Sequence, residues 1–115
     1  MSDIVDEFNA YRSKMNDKIL GENSKLIKRI FNLDSNAYRA GALDHKTKEL
    51  LGLVASTVLR CDDCIQYHLE ECHKENIPKA AVIESLEIAT LVGGTIVIPH
   101  LRRAFEYWEA LDQKK

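Results

Sequence analysis

Hydrophobic residues recur along most of this chain at spacings of three and four, which is the pattern of amphipathic helices. In the first segment they are Ile4, Val5, Phe8, Tyr11 and Met15. In the second they are Leu26, Ile27, Ile30 and Phe31. Gly21 and Asn23 predict a break between the two segments, and Gly41 predicts the end of the second. We therefore expect N-terminal helices within residues 1–42, with an interruption near Asp34 and Ser35.

A second group of helices is predicted from Asp44 onward, because Asp44 can cap a helix that runs to Arg60. Residues 50–59 of that helix are apolar on nearly every side. Such a helix is expected to be buried, either as the central core helix or beneath a partner subunit. Helices over residues 63–76 and 78–92 follow, and Asn76 and the Gly93-Gly94 pair mark their ends. A last helix over residues 94–111 bends or starts afresh near Pro99.

No segment alternates polar and apolar residues for long, so the predicted fold is all-α. The chain has 115 residues, of which 45% are hydrophobic, and this is enough for one domain with a real core. We predict a single-domain bundle of about six helices over residues 1–115. Its core motif region spans residues 44–111.

Charge and hydropathy exclude several classes of partner. The 16 basic and 18 acidic residues give a net charge of −2, so no basic field is available for nucleic acid. The N-terminus lacks the apolar region of a secretory signal, and the longest apolar run, residues 50–59, is about half of a membrane span. We expect a cytoplasmic protein that binds no membrane. Thiols stay reduced there unless they cycle, and three cysteines cannot form a fully paired framework.

The cysteines are concentrated in RCDDCIQYHLEEC, residues 60–72. Asp62 and Asp63 favour a helix start, which places Cys61 near the N-cap and Cys64 in the first turn. Unpaired N–H groups at that position stabilise a thiolate, the reactive form of cysteine. Two cysteines three residues apart can also close a disulfide with little backbone movement. This segment is therefore a candidate redox site.

Two further residues are candidates for moving a proton at this site. His68 follows Cys64 by four positions, on the same helical face, where its imidazole can accept the thiol proton. Glu49 lies in the mostly apolar helix before the cysteines, where a buried carboxylate needs a partner. Glu49 is either a solvated residue of the first turn or faces the next helix and shares a proton with His68.

A zinc site is the main rival, because Cys61, Cys64, His68 and Cys72 form one stripe. The outer two are eleven residues apart, or roughly 16 Å along a helix, so one continuous helix cannot bring all four to a zinc ion. A site with three ligands requires a non-helical segment at Cys61. Cys72 has no partner at CxxC spacing, so it is interpreted as a residue that fills the apolar core.

Three histidines lie outside this stripe: His45, His73 and His100. We predict that His45 and His73 lie on the solvated surface. His100 is either a buried, hydrogen-bonded residue or a pocket residue.

The pattern E-x11-C-x2-C-x3-H, formed by Glu49, Cys61, Cys64 and His68, resembles the core motif of the alkylhydroperoxidase D-like branch of the carboxymuconolactone decarboxylase superfamily. The resemblance runs from about Asp44 to Leu111. It implies that Cys64 attacks a hydroperoxide substrate and that Cys61 resolves the sulfenic acid as a disulfide. It also implies that His68 and Glu49 form a proton relay. An external dithiol donor, a lipoyl or thioredoxin-like protein, would then reduce the disulfide.

The same resemblance implies an all-helical homotrimer or homohexamer without metal or other cofactor. One departure is Asp63, because the best-known peroxidase members have histidine at this position. The negative charge of Asp63 opposes ionisation of Cys64. Two alternatives stay open: a non-redox enzyme of the decarboxylase type that uses His68 or His100, and a helical oligomer that binds a metal or a protein partner.

Overall fold

The computed structural model describes residues 3–114 and shows an all-α protein. Its six α-helices are α1 Ile4–Gly21, α2 Lys25–Ala37, α3 His45–Val58, α4 Asp62–Lys74, α5 Lys79–Gly93 and α6 Ile98–Gln113. A short 3-10 helix, Thr95–Val97, leads directly into α6. No strand interrupts the helices between residues 3 and 114. The predicted fold class and number of helices are confirmed.

The chain forms two compact units, and the first of them ends at Arg39. Asp3 caps α1 by accepting the N–H of Asp6, and Ser24 caps α2 by accepting that of Ile27. Between the two helices Asn23 has a φ of 62°, the left-handed conformation that asparagine tolerates best after glycine. The predicted stop near Asn23 is therefore confirmed.

The predicted interruption near Asp34 and Ser35 is wrong, because α2 continues through both residues. Serine favours turns when its hydroxyl competes for backbone groups. Here the hydroxyl of Ser35 instead donates to the carbonyl of Phe31, one turn earlier in the same helix, at 3.2 Å. The hydroxyl is satisfied without breaking the helix.

The second unit begins at Ala40 and is built around α3, which packs against α4 and α5, while α4 also packs against α6. Its buried apolar side chains come from all four of these helices and from the segments that join them. They are Leu53, Ile65, Leu69, Cys72, Ile77, Val82, Leu86, Ala89, Val97, Ala104, Tyr107, Trp108 and Leu111. This core fixes α4, the cysteine-bearing helix, between α3 and α6.

The apolar helix α3 is not the fully buried core helix that the sequence allows. Leu51 is 53% exposed and Leu59 is 76% exposed, whereas the polar residues Glu49, Ser56 and Thr57 are buried. The alternative of complete burial within one chain is wrong, because Leu51, Ala55 and Leu59 form a stripe that stays exposed. Burial of its apolar side beneath a partner subunit stays a prediction.

In the turn between α3 and α4, Cys61 completes the end of one helix and begins the next. Arg60 takes a φ of 58°, and its N–H donates to the carbonyl of Thr57 at 3.0 Å. The N–H of Cys61 donates to the carbonyl of Ser56 at 3.1 Å, which completes a Schellman motif. Cys61 is then the N-cap of α4. The position of the first thiol is thus fixed by backbone hydrogen bonds on both sides.

The last helix starts afresh at Pro99 and does not bend there. Pro99 occupies the first turn of α6, where its missing N–H has no helical partner to lose. Before it, Gly94 has a φ of 87° and a ψ of −179°, a conformation available essentially to glycine alone. Within residues 3–114 no helix combines the length and the apolar content that a membrane crossing requires.

A methyl group at Gly93 is expected to destabilise the second unit. An added Cβ would lie 2.6 Å from Cγ2 of Val97 and 3.7 Å from the backbone of Val58. Val97 is fully buried, so it has no open space to move into. We expect Gly93→Ala to lower the free energy of unfolding by about 1–3 kcal/mol in chemical denaturation. Gly21→Ala, where nothing lies within 4 Å of the new atom, is the control and should be neutral or stabilising. Equal stability of the two variants would contradict the close contact.

Candidate active site

Two thiols meet at the start of α4. Cys61, the N-cap, has φ −102° and ψ 99°, and Cys64 lies in the first helical turn. Their sulfur atoms are 2.6 Å apart, closer than non-bonded sulfurs usually approach and longer than the ~2.05 Å of a disulfide. Cys61 is half-buried and Cys64 is exposed. The predicted placement at a helix start is confirmed, and the backbone holds the two thiols within reach of a disulfide.

The sulfur of Cys61 also caps the helix. It accepts the N–H of Cys64 at 3.3 Å, the bond that an oxygen makes in the usual N-cap. Negative charge is favoured at this position, because the N-terminal N–H groups and the helix dipole point towards it. The cysteine pair therefore lies at the positive end of the α4 dipole.

A buried acid–base pair joins α3 to α4, and its histidine lies one turn after Cys64 on α4. Nδ1 of His68 is 2.8 Å from Oε1 of Glu49, and the two residues are 7% and 2% exposed. Of the two alternatives for Glu49, the structure shows the one that faces the next helix. With Nδ1–H donating to the carboxylate, the basic nitrogen of His68 is Nε2. His68 follows Cys64 by one helical turn, so this base is on the same face of α4 as the exposed thiol.

The second oxygen of Glu49 faces another histidine. Nε2 of His45 lies 3.7 Å from Oε2 of Glu49 and 3.5 Å from a carboxylate oxygen of Glu75. The side chain of His45 is 34% exposed, in line with the predicted surface position, but its imidazole also lies beside these two carboxylates. Sequence reasoning missed a signal here, since His45 precedes Glu49 by four positions on one helix.

His73 differs from its prediction as a solvated residue. Its Nε2 lies 2.9 Å from Oδ1 of Asp112, and its ring meets the ring of Trp108 edge-on at 4.9 Å. Both partners belong to α6. His73 therefore joins α4 to α6, away from the proton-transfer pair.

His100 and Arg103 of α6 bind Asp62, one of the two residues between the cysteines. Nδ1 of His100 lies 2.8 Å from Oδ1 of Asp62, and Nε of Arg103 lies 2.8 Å from Oδ2. Of the two alternatives for His100, the structure shows the hydrogen-bonded one. The roles of Asp62 and Arg103 were missed, because nothing local in the sequence places α6 beside the start of α4.

The family model of the carboxymuconolactone decarboxylase family matches residues 25–107, which is most of the chain. The chain belongs to this family. Two crystal structures of a Thermotoga maritima protein superpose on it. One is 55% identical, with a TM-score of 0.91 and coverage of 94% of this chain and 95% of the other. The second is 54% identical, with a TM-score of 0.89 and coverage of 93% and 91%. That second structure is described as a carboxymuconolactone decarboxylase family protein with a possible role in antioxidative response.

Two more distant proteins also match, one in structure and one in sequence. A carboxymuconolactone decarboxylase family protein from Legionella pneumophila, in its apo form, is 26% identical with a TM-score of 0.87. Coverage is 96% of this chain and 98% of the Legionella protein. An uncharacterised protein of the cox locus of Paracoccus denitrificans is 25% identical over 80 residues, which are 70% of this chain and 72% of that protein. The predicted membership of the superfamily is confirmed.

Three side chains lie close enough together to hold a metal ion, and none of them is a cysteine. Within the described part of the chain, His45, Glu49 and Glu71 each offer a ligand atom, and the three atoms lie within 4.8 Å of one another. One nitrogen and two carboxylate oxygens suit a divalent cation. Glu49 already accepts the hydrogen bond of His68, so a cation at this group would compete with the proton-transfer pair.

Cys72 is part of the core and not of the thiol site. It is fully buried, which confirms its interpretation as core filler. Burial, together with the negative charges of Glu49 and Glu71, raises the pKa of the Cys72 thiol to about 12. The third cysteine of this family member therefore stays a neutral thiol at any physiological pH.

The buried thiol has a measurable effect on stability at high pH. An unfolded chain loses the Cys72 proton near the ordinary pKa of 9.0, whereas the folded chain keeps it to about 12. The folded state binds more protons in that range, so its stability falls as the pH rises above about 9. We expect Cys72→Ala to remove this part of the loss in urea denaturation at pH 8 and pH 10. An unchanged pH dependence in the variant would contradict the burial of a neutral thiol.

Proposed function

We propose that this protein is a thiol-dependent peroxidase and disulfide reductase that uses Cys61 and Cys64. The observation that carries the proposal is the pair of adjacent sulfurs at the N-terminus of α4, one turn before the buried Glu49–His68 pair. A nucleophile, a resolving thiol and a base are the groups that reduction of a hydroperoxide by a dithiol needs. All of these residues belong to the second unit of the fold.

In the proposed first step, Nε2 of His68 takes the proton of the Cys64 thiol, and the thiolate attacks the peroxide. A sulfur–oxygen bond forms as the O–O bond breaks, so Cys64 becomes a sulfenic acid and the peroxide becomes an alkoxide. The protonated His68 returns its proton to the alkoxide, which leaves as an alcohol. Glu49 fixes the imidazole tautomer and stabilises the imidazolium. Cys64 is the more exposed thiol, which supports its assignment as the attacking one.

In the proposed second step, the sulfur of Cys61 attacks the sulfur of Cys64. The Cys61–Cys64 disulfide forms, and the hydroxyl of the sulfenic acid leaves as water after it takes up the proton of the Cys61 thiol. An external dithiol, supplied by a lipoyl or thioredoxin-like protein, then reduces the disulfide and is itself oxidised. This reversible cycle is the one expected of thiols in a reducing cytoplasm.

Two findings support this proposal over the alternatives. The Thermotoga maritima protein, which is 54% identical to this chain, is described with a possible role in antioxidative response. A zinc site formed by Cys61, Cys64, His68 and Cys72 is disfavoured, because Cys72 is buried in the core. Asp63 is exposed beside Cys64, and its charge lowers the rate that we expect relative to a neutral residue at this position.

We also propose that the protein acts as a homotrimer or homohexamer. Several large apolar side chains are exposed on the single chain, on α2, α3 and α5. They include Leu26, Ile30, Leu33, Leu51, Leu59, Leu91 and Val92. Exposed apolar side chains in each of the two units are candidates for subunit interfaces. Light scattering on the purified protein would give the subunit number, and a monomer at micromolar concentration would contradict this part of the proposal.

The proposed activity can be tested by steady-state consumption of an organic hydroperoxide with dihydrolipoamide as the dithiol. We expect turnover that saturates with peroxide and that requires the dithiol. A matched reaction with Cys72→Ala should retain it, because Cys72 lies outside the cycle. Peroxide loss that is equal with and without protein would overturn the peroxidase proposal.

A further inference from the structure

Asp62 lies between the two cysteines, and α6 holds both oxygens of its carboxylate. Oδ1 is 2.8 Å from Nδ1 of His100, and Oδ2 is 2.8 Å from Nε of Arg103. Asp62 is the first residue of α4, so these bonds join α6 directly to the turn that carries the thiols. His100 is mostly buried and Arg103 is half-exposed.

The protons of this cluster can be assigned from its distances. Asp62 as a carboxylate accepts only, so the short contact to His100 requires a proton on Nδ1. That nitrogen then has no lone pair left for Arg103, whose Nη2 approaches it at 3.3 Å. The approach is a contact and not a second hydrogen bond. The guanidinium of Arg103 therefore donates to Asp62 through Nε–H, and its positive charge lies against the carboxylate.

The pairing has a consequence for the neighbouring thiols. A bare carboxylate beside a thiol opposes its ionisation, and a guanidinium on that carboxylate compensates the charge. The carboxylate is bound to α6, while the N–H of Cys64 donates to the sulfur of Cys61 at 3.3 Å.

We propose that Asp62, His100 and Arg103 form a positioning cluster that compensates the charge inside the Cys61–Cys64 turn and thereby sets how readily Cys64 ionises. The cluster concerns the same thiols as the proposed function, and only its consequence for peroxide rests on that function. Further charged or titratable residues are Arg60 and Asp63, which adjoin the cysteines in the sequence, and the His68–Glu49 pair, whose histidine lies one turn along α4. None of them is altered in the test.

The test is the pH dependence of Cys64 alkylation by iodoacetamide in the reduced protein, read by mass spectrometry of the Cys61–Cys64 peptide. Arg103→Gln leaves the carboxylate uncompensated, so we expect the mid-point pH to rise by about half a unit. Asp62→Asn removes the carboxylate, so we expect a similar fall. The double variant, Asp62→Asn with Arg103→Gln, should return close to the wild-type mid-point.

Opposite shifts distinguish charge compensation from a simple tether between helices. If the cluster only ties α6 to α4, both single variants would move alkylation in the same direction, and the double variant would resemble either one. That result would overturn the proposal. Arg102→Gln is the matched control, since Arg102 is the adjacent exposed arginine of α6, and a shift as large as that of Arg103→Gln would also overturn it.

A conservative variant protects the test against loss of the fold. Arg103→Lys keeps the positive charge without the planar fork, and we expect its mid-point to lie within about 0.2 units of the wild type. A mid-point shifted as far as in Arg103→Gln would contradict the role of charge. Alkylation needs no peroxide, so these results hold whether or not the protein reduces hydroperoxides. If it does, Arg103→Gln should slow sulfenic acid formation about threefold near neutral pH.

Discussion

Replacing Cys64 by serine is expected to abolish the reaction with organic hydroperoxides, with a loss of roughly 10³-fold or more in rate. A serine hydroxyl is not ionised at neutral pH, and the start of α4 stabilises a thiolate far more readily than an alkoxide. Stopped-flow measurement of peroxide consumption by the reduced variant would show the loss. A rate within tenfold of the wild type would remove Cys64 as the nucleophile.

The companion variant Cys61→Ser separates the attack of Cys64 on the peroxide from the later formation of the disulfide. Its first phase should stay within about threefold of the wild type, because Cys64 keeps its base His68. The sulfenic acid should then persist, since no thiol at the N-cap can displace its hydroxyl. Dimedone labelling of Cys64, detected by mass spectrometry, would trap it. A disulfide that still forms within one chain would point to Cys72 as the resolving thiol, which its burial makes unexpected.

Breaking the Glu49–His68 pair is expected to have the second largest effect. One variant should change the rate of sulfenic acid formation, and the other should also change the free energy of unfolding. Glu49→Gln keeps the size of the side chain but removes the charge that fixes the imidazole tautomer. We expect sulfenic acid formation to slow by about 10²-fold, with little change in stability. His68→Ala leaves a carboxylate that is 2% exposed without its nearest partner, so we expect a loss of about 3 kcal/mol in the free energy of unfolding.

The double variant Glu49→Gln with His68→Ala is the control for this division. It removes the buried charge together with its partner, so part of the lost stability should return in chemical denaturation. The rate should not return, because no base is left beside Cys64. Recovery of both quantities in the double variant would contradict a proton relay, and recovery of neither would show that the cavity left by His68 dominates the stability loss.

The parts of the fold that were predicted correctly depend on local signals. Asp44 accepts the N–H of Thr47 at 2.7 Å, as an N-cap does, and hydrogen bonds from Thr47 lower the pKa of Asp44. Asn23 and Asn76 take the left-handed conformation that ends a helix. Cys61 caps α4. Each of these features is decided by residues within one or two turns, so the sequence pattern was sufficient.

The parts that were left open or missed depend on how helices pack. Glu49 and His68 are 19 residues apart, and the sequence could not decide between a solvated and a buried glutamate. Asp62 meets His100 and Arg103 across 38 and 41 residues. Those contacts require α6 to lie beside the start of α4. No local periodicity specifies that arrangement, because the apolar pattern shows which face of a helix is buried but not which helix covers it.

The most direct test of the account is a single-turnover reaction of the fully reduced, metal-free protein with an organic hydroperoxide, followed by mass spectrometry of the Cys61–Cys64 peptide. We expect rapid loss of two hydrogens from this peptide as an intramolecular disulfide, and no such loss in Cys64→Ser. Thiols that stay reduced through a large excess of peroxide would contradict the account. Disulfide exchange alone, a cysteine-independent reaction, and cation binding at His45, Glu49 and Glu71 would then be the activities to examine.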